Sequence, residues 1–171
     1  LPIMASSLLG TAYNITDMAW IGMLGSKAVA GVGVGGMYVW LSQGLVALPR
    51  MGGQVNVAQA CGRGDYEQAR GYAASALRLT FLLGILFAAV CIVFIHPLLG
   101  FFNLGDAETY TAAKLYTLIT CGLILFSFLN LTLTGLSTAQ GDSKTPLMAN
   151  LLGLVGNMIL DPILILGFGP F

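Results

Sequence analysis

Two acidic side chains lie deep within long, mostly apolar stretches of the sequence. Asp17 lies in YNITDMAWIG and Asp161 in NMILDPILILG. A charge held at the centre of a bilayer costs about 2.5–3.5 kcal/mol on insertion scales. Carboxylates retained in such surroundings imply a wet interior cavity, contact with each other, or both. Two carboxylates at one site do not ionise together readily, so one pKa rises. Such a pair can carry a proton near physiological pH, and the same oxygens can bind Na⁺ once deprotonated. Asn157 precedes Asp161 by four residues, on the same helix face. Its amide can donate to the carboxylate, or its carbonyl can face a cation. Tyr13 and Asn14 stand four and three residues before Asp17. Pro162 has no N–H, so the carbonyl of Met158 is left for a side chain, water or an ion.

A structural role is the alternative. Asp17 and Asp161 can cap neighbouring helices or pair with Arg50, which follows Pro49. Arg50 can also snorkel along its span or line a cavity. Asn14, Asn130 and Asn157 can serve as interhelical glue.

The elements that position these groups must suit lipid. Of 171 residues, 57% are hydrophobic and only 8% are charged, with mean hydropathy +0.86. Soluble domains carry roughly 25% charge. Seven basic and seven acidic residues balance, so no basic face for nucleic acid is indicated. Cys61, Cys91 and Cys121 have no metal-type spacing and read as packing thiols. His96, before Pro97 at the end of an apolar run, reads as an interfacial histidine rather than a ligand. The absence of an initiator Met, and a last stretch that reads as the start of a loop, suggest an internal piece of a longer protein.

Five segments meet the length of about 20 apolar residues needed to span a bilayer: 1–24, 29–60, 66–99, 109–139 and 146–167. The expected fold class is an all-α polytopic membrane helix bundle. The second and fourth spans exceed a core of about 30 Å, so they tilt or project beyond it. Gly31 and Gly35, four apart, are a close-packing signal. The turns at Arg63 and Lys144 fall on one side with Arg70 and Arg78, while Lys27 and Lys114 fall on the other. The basic excess makes the Arg63/Lys144 side cytoplasmic. Asp17 then lies roughly 12 Å and Asp161 roughly 9 Å from the outer ends of their helices, at similar depth. Asn130 and Asn157 are also at comparable depth, measured from their shared cytoplasmic turn.

In order along the chain stand Pro2, DMAWIG at 17–22, VAQACGRGD at 57–65, TGLSTAQGDSKTP at 134–146 and NMILDP at 157–162. This ordered set covers essentially the whole chain and resembles the N-terminal lobe of a MATE (multidrug and toxic compound extrusion) transporter. The resemblance implies twelve helices in two six-helix lobes, with five of the first six present here. It implies exchange of H⁺ or Na⁺ inward for an amphipathic, often cationic compound outward, with no other cofactor. The family's N-lobe cation site maps onto Asp17, Asn157 and Asp161. Asn130 or Thr134 correspond to polar cavity residues of the fourth helix, and Tyr13, Asn14 and Pro162, beside the mapped carboxylates, are further candidates for the substrate cavity. The implied partners are a small organic substrate, membrane lipid and a C-terminal lobe of the same protein, in a multi-pass inner-membrane setting.

Three rivals are weaker. A lipid-linked oligosaccharide flippase of the same superfamily would line its cavity with arginines, and only Arg50 lies deep. An intramembrane aspartyl protease needs Y-D and G-x-G-D, whereas the carboxylates here stand in ITD and ILD. A scaffold subunit would not need the two carboxylates. Phosphate loops, metal clusters and Ser/His pairs do not occur in the pattern, so the chain does not read as an enzyme.

Overall fold

The computed structural model describes residues 2–23 and 25–165; the side chains before Leu8, those of Leu9 and Tyr13, and those from 161 onward lie outside the described residues. The expectations for the side chains of Tyr13, Asp161 and Pro162 therefore fall outside it.

Every regular element is a helix: α1 Pro2–Met23, α2 Ser26–Gly62, α3 Tyr66–Val93, α4 Ile95–Gly100, α5 Ala107–Gly122, α6 Ile124–Ala139 and α7 Lys144–Ile165. No strand occurs among the described residues. In lipid a backbone must satisfy its own hydrogen bonds, and a helix does so within one segment. Among the described residues α2 and α3 are long and apolar enough to cross a membrane. Together α5 and α6 count as a third such span, bent by 44°.

That bend departs from the single fourth span expected over 109–139. Leu123 sits between the halves at φ −96°, ψ 6°. Its N–H still reaches the Ile119 carbonyl at 3.0 Å, but its own carbonyl accepts from Phe126, only three residues on, at 3.1 Å. The ladder tightens for one turn and the axis turns with it. The third span, expected over 66–99, is also interrupted: α3 stops at Val93 and α4 restarts after Phe94. Pro97 has no N–H to offer the Val93 carbonyl, and it sits in the first turn of α4, where that loss is tolerated.

The chain divides into two units. One comprises residues 1–29 and 142–171, in which α1 packs against α7. The other comprises residues 30–141. In it α3 packs on α6 and α5, and the short α4 lies against α3 and α5. The body of α2 joins this second unit through glycines. Gly31 lies against Ala112 and Ala113, and Gly35 against Tyr116 and Thr117, so the four-residue spacing marks a close approach of α2 to α5. At Gly53 an added Cβ would stand 2.6 Å from the Ala76 Cβ. Val57, Ala60, Ala69, Ala76 and Leu136 form one apolar cluster around that contact. A second gathers Val46, Ile124 and Phe128, and a third Ile95, Leu99 and Ala113.

The turns after α2 and α6 are closed by glycine. Gly64 adopts φ 75° and Gly141 φ 85°, the left-handed region where a side chain is strained. After α2, Gly64 N–H donates to Cys61 O and Asp65 N–H to Ala60 O, both at 3.0 Å, a Schellman closure. Asp65 then caps α3 by accepting from Gln68 N at 2.9 Å. The outer faces of the helices are apolar, with Leu79, Phe81, Leu82, Ile85 and Leu86 of α3 all exposed.

Candidate ion and substrate site

α1 and α7 carry the carboxylate candidates, and they pack on each other within one unit. Both are helical because long apolar runs leave the backbone no other partner than itself. Asp17 is half-buried on α1, and Asn14, one turn before it, is exposed. Asn157 is on an exposed part of α7. Asp17 and Asn157 each take part in a polar interaction. Beside Asp17, Thr16 turns its hydroxyl back to the Ala12 carbonyl at 2.9 Å. Asp161 and Pro162 belong to α7 by their backbone.

The start of α7 is fixed by Asp142, whose Oδ1 accepts the backbone N–H of Lys144 and of Thr145, each at 3.1 Å. Its carboxyl is held below the usual range, first by the Thr145 hydroxyl and then by these backbone bonds and the nearby Lys144 charge.

The remaining candidates belong to the second unit. Asn130 is exposed on α6, and Thr134 is half-buried. The Thr134 carbonyl accepts from the Thr138 hydroxyl at 2.7 Å. Arg50 is half-buried on α2, and its stem passes over Gly135 of α6, where an added Cβ would lie 3.1 Å from Arg50 Cγ. Among the described residues its guanidinium has no hydrogen-bond or ion-pair partner. No group of three or more His, Cys, Asp or Glu that could hold a metal occurs among the described residues.

The structure adds polar residues that sequence reading passed over. The buried Thr80 donates to the Ala76 carbonyl at 2.8 Å. Its lone pairs are then left to accept from Thr132 across the α3–α6 contact at 2.9 Å. Thr109, Ala113, Thr117 and Cys121 form a buried stripe of small residues along α5. Their four-residue spacing was the available signal. His96 shares a hydrogen bond of 2.8 Å with the Tyr110 hydroxyl.

The same ordered chain is found in known proteins. A family model described as MatE matches residues 2–163. A probable multidrug resistance protein NorM from Thermotoga maritima is 27% identical over 98% of this chain and 36% of its own length. An FAD transporter from Shewanella oneidensis is 27% identical over 100% of this chain and 38% of its own length. A MOP superfamily transporter structure from Pyrococcus furiosus superposes with TM-score 0.85 at 26% identity, over 99% of this chain and 37% of that one. The chain thus spans a little over a third of the length of these relatives. An all-α membrane bundle of this fold, with the family pattern running nearly end to end, belongs to a family of transporters rather than enzymes: the chain is a member of the MatE family.

Proposed function

We propose that this chain supplies the N-terminal lobe of a cation-coupled antiporter that exports amphipathic organic compounds. Asp17, Asn157 and Asp161 form its coupling site for H⁺ or Na⁺. The observation that carries this reading is the packing of α1 on α7, the two helices that hold all three residues. A proton or Na⁺ neutralises the paired carboxylates enough for the site to be occluded. Asn157 supplies an amide that can serve either the protonated or the metal-bound form. Asn130 and Thr134 line the substrate path, with Tyr13, Asn14 and Pro162 near the carboxylates. A C-terminal lobe completes the path, and the setting is the bacterial or archaeal inner membrane. Exchange requires that cation and substrate favour different conformations.

The test is transport by the full-length protein in vesicles under an imposed pH or Na⁺ gradient. Asp161→Asn keeps the shape and removes the titrating group. It should abolish gradient-driven efflux while the protein stays folded in the membrane. Uphill efflux at the wild-type rate would exclude Asp161 as the coupling residue.

The relative named as an FAD transporter supports a second substrate class, an anionic dinucleotide. The half-buried Arg50, which has no hydrogen-bond or ion-pair partner among the described residues, is the feature of this chain that would suit it. Competition of FAD with an amphipathic cation such as ethidium in the same vesicles separates the two.

A further inference from the structure

α3 and α6 run antiparallel, with Thr80 opposite Thr132 and Gly84 opposite Leu125. Beside this seam lies an open groove of about 610 Å³, lined by Leu77, Arg78, Phe81, Leu82, Leu129 and Leu133. Five of the six lining residues are apolar, and the sixth is Arg78. Arg78 closes the polar, amphipathic opening of α3, and the apolar run begins at Leu79. It therefore sits at the level where a membrane passes from headgroups to hydrocarbon. Its side chain is exposed and has no hydrogen-bond or ion-pair partner among the described residues. Arg63, by contrast, is satisfied by Gln68 at 2.8 Å. Leu82 and Leu129 lie on the hydrocarbon side of Arg78, about one helical turn deeper.

We propose that this groove is a binding site for one anionic phospholipid, with its phosphate on Arg78 and an acyl chain along Phe81, Leu82, Leu129 and Leu133. A guanidinium binds phosphate through two parallel N–H donors, and it does so more strongly where water is partly excluded. The apolar walls supply the second half of the recognition, which a free phosphate ion cannot use. The charge selects an anionic headgroup over a zwitterionic one. The site is independent of the coupling carboxylates, so it stands or falls apart from the transport reading.

The full-length protein in nanodiscs of mixed dioleoyl phosphatidylglycerol and phosphatidylcholine provides the test. Lipid retained after release into detergent is identified by native mass spectrometry, and a photoactivatable phosphatidylglycerol maps the contact. Wild type should retain phosphatidylglycerol in preference, and the label should fall on peptides that contain Phe81–Leu82 and Leu129–Leu133. Arg78→Gln should retain about fivefold less phosphatidylglycerol with phosphatidylcholine unchanged. Arg70→Gln, exposed on the same helix but outside the groove, should match wild type. Equal losses in the two variants would reduce the effect to diffuse surface charge and overturn the site. Absence of label on α6, because another helix of the protein covers the groove, would overturn it equally.

Discussion

Asp142 is the smallest unit at which the chain shows how it sets a helix. It is fully solvent-facing, yet its carboxylate accepts from two backbone N–H groups and from the Thr145 hydroxyl. These bonds favour the charged form, so the folded pKa lies below the unfolded one. The stabilisation is therefore complete above the ordinary carboxylate pKa and is lost as pH falls through the lowered one. Asp142→Ala should reduce amide hydrogen-exchange protection at Lys144 and Thr145 at pH 7. At pH values below the lowered pKa, wild type and variant should exchange alike; a gap that persists there would refute the ionic part of the cap. Within the proposed coupling site, Asn157→Ala should weaken apparent coupling-ion affinity by about fivefold, the worth of one hydrogen bond of about 1 kcal/mol, with the maximal efflux rate retained. Efflux kinetics against ion concentration would show it, and an unchanged ion dependence would remove Asn157 from the site. A residue such as Asp17 stands out in the sequence because a carboxylate among hydrocarbons is a conflict that composition exposes. Thr80 and Thr132 do not, because a hydroxyl can hide its cost by bonding to its own helix.

At the scale of elements, the helices follow from apolar runs and their turns from glycine. The neighbours Gly52 and Gly53 separate two roles. A Cβ at Gly52 meets nothing within 4 Å, whereas one at Gly53 meets Ala76 at 2.6 Å. Gly52→Ala should leave the thermal midpoint unchanged or raise it, as a helix gains up to about 1 kcal/mol when Ala replaces Gly. Gly53→Ala should lower it, because the clash is with a Cβ that cannot rotate away; a midpoint equal to that of Gly52→Ala would show that α2 and α3 yield easily. Gly64→Ala should also lower it, by the ~1–2 kcal/mol of a left-handed residue with a side chain. The pair Gly31 and Gly35 announced close packing by spacing alone, but the sequence did not say that α5 was the partner. The break at Leu123 had even less signal. Gly122 before it is one of 23 glycines, and only the tightened hydrogen-bond ladder at Leu123 singles out the break.

Across the whole molecule, family and fold were readable because weak motifs occur in a fixed order over nearly the whole length. The division into two units was not, since it depends on which distant helices meet. The topology remains a prediction of charge. Gly62–Asp65 and Gln140–Thr145 should face the cytoplasm. Ser143→Cys in intact cells should resist a membrane-impermeant maleimide and react after permeabilisation. Ready labelling from outside would invert the orientation.

The pairing of α1 with α7 also sets a timetable. Asp17 and Asn157 are about 140 positions apart, and ribosomes add ~5–20 residues per second. For roughly 7–28 s, α1 is made while its partner helix is not. Throughout that interval a half-buried carboxylate must wait in the insertion machinery or at the bilayer edge, with the intervening helices already assembling. Of the two helices that pack together, α1 is thus made well before the partner that its carboxylate-bearing turn sits beside in the folded chain.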